Sequence, residues 1–373
     1  MPDVLDWQTI ANPRSAVHRA VQALQSGRLV AFPTETVYGI AASPLVPDAV
    51  ERLGRCKGRP DDKPFTLAIS GADEALDWVP GLGTLGRRLA RRCWPGPVTL
   101  VCGDGVDAGL AARLPPVVRP RLCPQGAIGL RAPAHQAVLH VLHVLPAPLL
   151  LTSANRGGEA DATTADAVIQ AVGDHLDLVI DDGPSRYGQP STVVGVNGAS
   201  WKLLREGVVP AATLERLSAC VIVFVCTGNT CRSPLAEALA KKLLAARMGC
   251  PVEDLPRRGF VVLSAGLAAM MGGKAAAEAV EAARELGADL AGHSSQPLTP
   301  QLAAQADYLV AMTSGHLLAL DAQFPDLGNR ARLLAGGGED VPDPIGCDQQ
   351  VYRDCAQQIM RHLEEFLPEF QQS

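Results

Sequence analysis

The stretch Val-Ile-Val-Phe-Val-Cys-Thr-Gly-Asn-Thr-Cys-Arg-Ser, residues 221–233, decides the fold of the second half of this chain. Its first five residues form a continuous β-branched and aromatic run, which predicts a strand buried on both faces of a parallel sheet. A polar turn follows, and Pro234 then stands at the first helical position before a run of good helix formers. The stretch therefore predicts a strand, a loop and a helix, one unit of an α/β domain.

The loop between this strand and helix has the composition of an anion-binding cradle. A loop that enters a helix N-terminus aims several backbone N–H groups at one point, which favours a dianion such as phosphate. The same field favours the thiolate form of Cys226 near neutral pH. Arg232 can bind two phosphate oxygens, Ser233 can donate to the thiolate, and Gly228 and Asn229 tolerate left-handed backbone. Cys226 is therefore the predicted nucleophile.

Phosphoryl transfer to a thiolate also needs an acid for the leaving group. Asp343 stands between two prolines in Val-Pro-Asp-Pro-Ile, residues 341–345, and these prolines predict a rigid loop that holds a carboxyl over the cradle. We expect Cys226 to accept the phosphoryl group. Water then attacks the phosphocysteine with Asp343 as the base.

Residues 221–233, together with Ser-Ala-Gly at 264–266, His-Ser-Ser at 293–295 and Asp343-Pro344, resemble the low-molecular-weight protein tyrosine phosphatases over about residues 220–370. The resemblance implies a phosphatase that needs no cofactor. Its implied catalytic residues are Cys226, Arg232, Asp343, Thr230 and Ser233, and its implied phosphate-loop residues are Thr227, Gly228, Asn229 and Cys231.

Thr230 refines this resemblance, because tyrosine phosphatases of the family usually carry an aliphatic residue there. Cys-Thr-Gly-Asn-Thr-Cys-Arg-Ser is similar to the bacterial protein-arginine phosphatases, in which the threonine is understood to select phosphoarginine. A hydroxyl beside a scissile P–N bond can hydrogen-bond the attacking water and crowd out a flat aromatic ring. Ile345 stands where tyrosine-specific members tend to have an aromatic residue. A phosphotyrosine phosphatase is the alternative.

The cysteines of this half allow two other functions. Arsenate reductases share the fold and the nucleophile but relay a disulfide through two cysteines in the middle of the domain. No cysteine lies between Cys250 and Cys347, which disfavours that activity. Cys231 either protects Cys226 through a reversible disulfide or fills a small space in the loop, and the sequence leaves both open.

The first half of the chain carries polar islands, rich in proline and glycine, between runs typical of strands. The islands lie at 33–39, 57–64, 94–99, 129–135, 152–155 and 191–207. Rigid loops of this kind often carry function. Lys57, Arg59, Lys63, Arg131 and Arg205 would give them a positive lining suited to phosphates and carboxylates. From the residue types alone, the prediction stops at an anion-binding cleft.

In this order the islands resemble the threonylcarbamoyl-AMP synthases, the YrdC/Sua5 family, over about residues 10–210. The resemblance implies condensation of L-threonine, bicarbonate and ATP to threonylcarbamoyl-AMP with release of pyrophosphate, for N6-threonylcarbamoyladenosine formation in tRNA. Mg²⁺ would come with ATP and not from a dedicated protein site. The implied ATP-binding residues are Lys57, Arg59, Ser153, Asn155 and Arg205, and the implied threonine-binding residues are Thr36, Arg131 and Ser191. An RNA-binding module without synthase activity is the alternative.

The length and composition of the chain indicate its domain number and its class. A length of 373 residues corresponds to two or three domains, and 47% apolar with 19% charged residues is the balance of a soluble globular chain. The longest apolar run, 138–151, is shorter than the about 20 residues of a membrane span. The ten cysteines are scattered, and the N-terminus is acidic where a signal peptide is basic, so we expect a reducing cytoplasm.

The domain prediction places the synthase-like domain at 1–208, a short linker at 209–219 and the phosphatase domain at 220–373. Both domains are predicted to be α/β: a twisted open sheet first, then a parallel sheet flanked by helices. The expected protein is a bifunctional cytoplasmic enzyme whose partners are ATP, L-threonine, bicarbonate, a phosphorylated protein and the tRNA-modification machinery, with no membrane.

Overall fold

The computed structural model describes residues 1–58 and 64–367. The chain divides into two compact units, Met1–Leu217 and Ser218–Ser373. Each is built from strands and helices in alternation, so the predicted α/β class is confirmed for both. Within the described residues, every helix is too short or too polar to cross a membrane.

The first unit is organised around one mixed sheet of ten strands. The strands stand in the order β1-β8-β2-β3-β7-β4-β6-β5-β9-β10, so that β1 and β10 form its edges. Their bounds are β1 Asp3–Asp6, β2 Val30–Phe32, β3 Gly39–Ala42, β4 Thr66–Ala68, β5 Val98–Cys102, β6 Ile128–Arg131, β7 Leu149–Ser153, β8 Leu178–Asp181, β9 Thr192–Asn197 and β10 Ser200–Arg205.

Helices cover both faces of this sheet, because its central strands alternate their side chains between two apolar cores. Val30 and Phe32 of β2 enter the core under α1 and α6, and Ala31 enters the opposite core under α2, α4 and α7. The helices are α1 Pro13–Gln25, α2 Pro47–Lys57, α3 Ala75–Trp78, α4 Thr84–Cys93, α5 Arg119–Leu122, α6 Gln136–Val144, α7 Ala165–Val172 and α8 Ala211–Ser218.

Three strands of this sheet have no apolar run in the sequence that would predict them. β3 consists of small residues with one isoleucine, and β1 and β10 are edge strands whose residues are mostly exposed. Such strands lack the apolar runs on which the prediction rested. The predicted linker, 209–219, contains α8, and Leu214 of that helix is fully buried in the core of the first unit.

The second unit has four parallel strands in the order β12-β11-β13-β14. Ile222 and Phe224 of the central strand face one apolar core, and Val223 and Val225 face the other, as the run at 221–225 predicts. The strands are β11 Cys220–Cys226, β12 Phe260–Gly266, β13 Tyr308–Ala311 and β14 Ala331–Leu333. The helices are α9 Arg232–Met248, α10 Ala277–Glu285, α11 Pro300–Gln305, α12 Ser314–Gln323 and α13 Gln349–Phe366.

Helix α9 begins two residues earlier than predicted, at Arg232 instead of Pro234. Its first turn therefore includes Arg232 and Ser233, whose side chains are buried beside the end of β11. Proline is still compatible with this position, because the first-turn N–H groups have no partner within the helix.

Gly266 ends β12 where the chain passes closest to the loop after β11. A Cβ atom there would lie 2.5 Å from the Thr227 carbonyl oxygen and 3.0 Å from the Asn229 nitrogen. We expect Gly266→Ala to lower the free energy of unfolding by about 1–3 kcal/mol, since the clash is with backbone. Urea unfolding followed by far-UV circular dichroism measures this.

Gly336→Ala is the matched control, because a Cβ atom at Gly336 would meet open space. Equal stability of the Gly266 variant and this control would contradict the close approach.

Candidate functional sites

The thiol of Cys226 lies at the carboxyl end of the central strand β11, where the next residues turn into α9. The backbone N–H of Asn229 donates to the Cys226 sulfur at 3.3 Å, and the Ser233 Oγ lies 3.0 Å from the same sulfur. Both groups can donate to a thiolate. The strand, the loop and the first helical turn thus converge on one sulfur atom.

Asn229 fixes the shape of this loop. It is fully buried in a left-handed conformation, with φ of 55°. Its Nδ2 donates to Ser233 Oγ at 3.0 Å and to Ser264 Oγ at 2.8 Å, and its carbonyl oxygen accepts from His293 Nε2 at 2.8 Å. Ser264 and His293 belong to the short motifs that the sequence analysis noted. Their contacts explain the motifs as supports of the loop.

Arg232 and Asp343 meet at the same loop. The guanidinium Nη2 donates to Asp343 Oδ2 at 2.5 Å, and Nη1 donates to the Val341 carbonyl oxygen at 3.2 Å. The Arg232 side chain is 6% exposed and that of Asp343 is 41% exposed. Arg232 Nε is buried and has no hydrogen-bond partner among the described residues. A buried cationic donor of this kind suits a bound oxyanion.

The remaining loop residues face their neighbours in different ways. The Thr230 carbonyl oxygen accepts from Ala276 N at 2.9 Å, and its partly buried hydroxyl lies 3.7 Å from the Cys231 sulfur. Cys231 is buried against the Tyr352 hydroxyl at 3.4 Å. Burial raises the pKa of Tyr352, so this phenol stays protonated. Ile345 is mostly exposed.

In the first unit, a cavity of about 240 Å³ gathers residues from several polar islands. Five residues that the sequence analysis proposed line it together, namely Thr36, Arg131, Ser153, Ser191 and Arg205. Ser153, Arg131 and Arg205 stand at the ends of β7, β6 and β10, and Thr36 and Ser191 lie in the loops before β3 and β9. Two arginines, two serines and a threonine suit an anionic ligand with hydroxyl or carboxylate oxygens.

Arg131 is held rigidly at this cavity. Its Nη2 donates to Glu35 Oε1 at 2.7 Å and to Thr36 Oγ1 at 2.9 Å, and its Nε donates to the Gly96 carbonyl oxygen at 3.2 Å. Both side chains of the Arg131–Glu35 pair are less than a tenth exposed. Removing one partner of such a pair lowers the stability of the protein, because the other charge is left buried without a counter-charge.

Arg205 is the second cation of the cavity. Its Nη2 donates to the Ser191 carbonyl oxygen at 2.7 Å. Burial lowers the pKa of Arg205, and the nearby Asp161 opposes that shift. The guanidinium remains charged, since the pKa of arginine starts far above neutral.

Lys57 and Asn155 lie beside the cavity without lining it. The Lys57 Nζ donates to the Ser153 carbonyl oxygen at 2.7 Å, to Asn155 Oδ1 at 2.8 Å and to the Asn155 carbonyl oxygen. The lysine side chain is buried. These contacts bring together Lys57, Ser153 and Asn155, three of the residues that the family resemblance implies for ATP binding. The predicted Arg59, like Lys63, lies outside the described residues.

Other residues of the cavity are not among those predicted from the sequence. Thr66 and Thr99 line it, and Asp161 is the one carboxylate in the lining of the cavity as far as residues 1–58 and 64–367 show. Thr99 belongs to the polar island at 94–99, so the sequence pattern could have indicated it. No pattern indicated Asp161, because it follows a run of small and polar residues typical of any surface loop.

We expect Lys57→Met to destabilise the first unit, because it removes a buried donor from the carbonyl oxygens of Ser153 and Asn155 and from the Asn155 side chain. The expected loss in the free energy of unfolding is about 1–3 kcal/mol or more. Urea unfolding followed by tryptophan fluorescence measures it, since all four tryptophans lie before residue 217. The exposed Lys202→Met is the control. Unchanged stability with lost ligand binding would contradict a supporting role.

Comparison with known families matches each half of the chain separately. The Sua5/YciO/YrdC family model, described as telomere recombination, matches residues 22–207. The low molecular weight phosphotyrosine protein phosphatase model matches residues 221–373.

Curated proteins resemble the same two halves. A putative threonylcarbamoyl-AMP synthase from Mycobacterium tuberculosis is 32% identical over 194 residues, which are 51% of this chain and 83% of that protein. A protein-arginine-phosphatase from Bacillus subtilis is 40% identical over 153 residues, 39% of this chain and 95% of that protein. A threonylcarbamoyl-AMP synthase from Pyrococcus abyssi is 34% identical over 196 residues, 52% of this chain.

The chain spans 54% of the length of that P. abyssi synthase and 59% of the length of the B. subtilis synthase. Among solved structures, P. abyssi Sua5 complexed with L-threonine has a TM-score of 0.51 and 23% identity, covering 71% of this chain and 92% of that one. At this identity the likeness concerns the fold. The chain therefore belongs to two families, the Sua5/YciO/YrdC family through its first half and the low-molecular-weight phosphotyrosine protein phosphatases through its second.

Proposed function

We propose that this chain is a bifunctional enzyme. The first unit condenses L-threonine, bicarbonate and ATP to threonylcarbamoyl-AMP and pyrophosphate, and the second unit removes phosphoryl groups from protein phosphoarginine. The product of the first reaction would serve tRNA modification.

Support for the first reaction comes from the two arginines that share one cavity. A triphosphate, bicarbonate and an amino-acid carboxylate repel each other strongly, so a pocket that holds all three needs fixed cations. Arg131 and Arg205 line the cavity and are held in place by neighbouring groups, and Ser191 and Thr36 add hydroxyls beside them. We assign the threonine carboxylate to Arg131 and the phosphates to the side of Ser153 and Arg205.

Magnesium would enter this cavity with ATP. Among the described lining residues Asp161 is the one carboxylate, and no group of three or more metal-ligating side chains occurs in the described parts of the chain. We expect the ion to be held mainly by phosphate oxygens, which Mg²⁺ prefers. Mg²⁺ would neutralise phosphate charge, and we assign Asp161 to hold it or one of its waters.

Support for the second reaction comes from the contacts of Asn229 and Ser233 with the Cys226 sulfur and from the buried Arg232 that begins the helix after the same loop. The thiolate attacks phosphorus, the S–P bond forms and the P–N bond breaks as Asp343 gives its proton to the departing guanidine nitrogen. Water then attacks the phosphocysteine, its proton passes to Asp343, and phosphate leaves as the S–P bond breaks. Arg232 and the loop N–H groups hold the phosphoryl oxygens throughout.

Binding of the substrate must first change the Arg232–Asp343 pair. Asp343 accepts a hydrogen bond from Arg232 at 2.5 Å. A bound phosphoryl group competes for the same guanidinium, which frees the half-exposed Asp343 to take up a proton and approach the leaving nitrogen. The pair thus keeps the acid beside the cradle before the substrate arrives.

The preference for phosphoarginine over phosphotyrosine rests on Thr230 and Ile345. The Thr230 hydroxyl is partly exposed on the loop, and the exposed Ile345 follows Asp343-Pro344. Neither side chain offers an aromatic face for a phenol ring to stack on. The 40% identity to the B. subtilis protein-arginine-phosphatase supports the same substrate.

For the synthase, we expect pyrophosphate release only when ATP, L-threonine and bicarbonate are all present, and Arg131→Ala to reduce the rate by at least about 100-fold, as for loss of an oriented charged contact. A coupled pyrophosphate assay measures it. Cys226→Ser serves as the matched control and retains the full rate. Pyrophosphate release without threonine, or tRNA binding without any release, would overturn the synthase proposal.

For the phosphatase, we expect Thr230→Ile to lower kcat/KM for a phosphoarginine peptide by at least about 10-fold while a phosphotyrosine peptide is hydrolysed as well as or better than before, because the variant loses one hydroxyl contact at the P–N bond. Thr230→Ser is the control that keeps the hydroxyl. A wild-type preference for phosphotyrosine would contradict the arginine assignment.

A further inference from the structure

A histidine outside the predicted site touches the residue that follows the nucleophile. Thr227 Oγ1 lies 2.9 Å from His316 Nε2, and His316 Nδ1 lies 2.8 Å from Thr313 Oγ1. The ring therefore links two threonine hydroxyls. His316 is 8% exposed, whereas Thr227 is exposed, so the contact between them is half-buried.

The histidine belongs to the first turn of α12, and this turn also holds the loop of the acid. Thr313 caps the helix by accepting from His316 N at 3.2 Å. The next residue, Ser314, donates from its backbone to Asp340 Oδ1 at 2.6 Å and from its hydroxyl to Asp340 Oδ2 at 3.2 Å. Asp340 precedes Asp343 by three positions. One helical turn therefore contacts both the nucleophile loop and the loop that carries the acid.

Burial lowers the pKa of His316, and the neighbouring Arg232 on α9 lowers it further, while Asp343 and Asp340 oppose this. The ring is neutral at neutral pH. A neutral imidazole donates through one nitrogen and accepts through the other, so it completes a chain of hydrogen bonds from the cap of α12 to Thr227.

We propose that His316 is a positioning residue of the phosphatase: through Thr227 it fixes the first half of the phosphate loop, and through the first turn of α12 it sets that loop against the loop of Asp343. This proposal rests on the phosphatase function proposed above and adds a residue to it.

Within the part of the chain that the structure describes, Thr227 forms few other hydrogen bonds. Its backbone carbonyl oxygen accepts from Ala268 N at 2.9 Å, and its side chain is exposed apart from the contact with His316. Loss of the histidine contact leaves the loop N–H groups next to Cys226 less firmly oriented. Oriented donors stabilise the thiolate and the transition state more than they stabilise bound substrate. The turnover rate and the ionisation of the thiol should therefore change more than KM.

The test uses the full-length protein and four variants, His316→Ala, Thr227→Val, the double variant and Thr227→Ser. Leu318→Ala, on the exposed side of the same helix, is the matched control. The first readout is the rate of Cys226 alkylation by iodoacetamide as a function of pH, followed by peptide mass spectrometry. The second is kcat and KM for p-nitrophenyl phosphate and for a phosphoarginine peptide.

We expect His316→Ala and Thr227→Val each to lower kcat by about 3- to 10-fold, as for the net contribution of one hydrogen bond. The midpoint of the alkylation curve should move to higher pH, and KM should change less than kcat. The double variant should be no worse than either single variant, since both remove one contact. Thr227→Ser, which keeps the hydroxyl, should lose less of the rate than Thr227→Val, and Leu318→Ala should match the wild type.

Additive effects in the double variant, or wild-type kinetics and alkylation for Thr227→Val, would overturn the proposal. Thr227 lies on an exposed loop, so its variant remains informative even where His316→Ala does not fold. Failure of the phosphatase function is distinguishable: the wild type would then hydrolyse neither substrate, while the alkylation curves would still test the contact between His316 and Thr227.

Discussion

A buried arginine paired with a carboxylate is the interaction on which both candidate sites depend. In the first unit Arg131 meets Glu35 at 2.7 Å, and in the second Arg232 meets Asp343 at 2.5 Å. In each, the carboxylate supplies a counter-charge that allows the cation to be buried without a ligand. The two carboxylates differ in how freely they can move. Glu35 is 7% exposed and its second oxygen accepts from Ala134 N, whereas Asp343 is 41% exposed.

This difference matches what each proposed reaction requires. A carboxylate tied on both oxygens can orient Arg131 but cannot move, which suits a cation that only binds. Asp343 accepts at its other oxygen from Ile345 N at 3.3 Å, a weak contact within its own loop. It can therefore leave Arg232 when a phosphoryl group arrives and then act on a leaving group. The arginine–carboxylate pair is therefore fixed in the first unit, whereas in the second unit the carboxylate can separate from the arginine.

The sequence predicts the second site better than the first. Cys226, Asn229, Arg232 and Ser233 follow one another within eight residues, so a strand–loop–helix pattern is enough to bring them together. The contact between Thr227 and His316 spans 89 positions and depends on which strand neighbours β11, which no local pattern specifies. In the first unit the family resemblance brought out Thr36, Arg131 and Ser191, but the role expected of Lys57 depended on burial that only the structure provides.

The apolar packing of β11 on both of its faces fixes the geometry of the second site. Its side chains fill an apolar core on each face, so the strand cannot shift along its axis without exposing Phe224 or Val225. Cys226 is therefore fixed by the core, and everything else must be brought to it: Asn229 by its left-handed turn, Arg232 by the start of α9, and Thr227 by α12. Substrate specificity can then change only at positions whose side chains do not hold Cys226 and its loop in place. Thr230 and Ile345 are two such positions, because one presents a partly exposed hydroxyl and the other an exposed side chain.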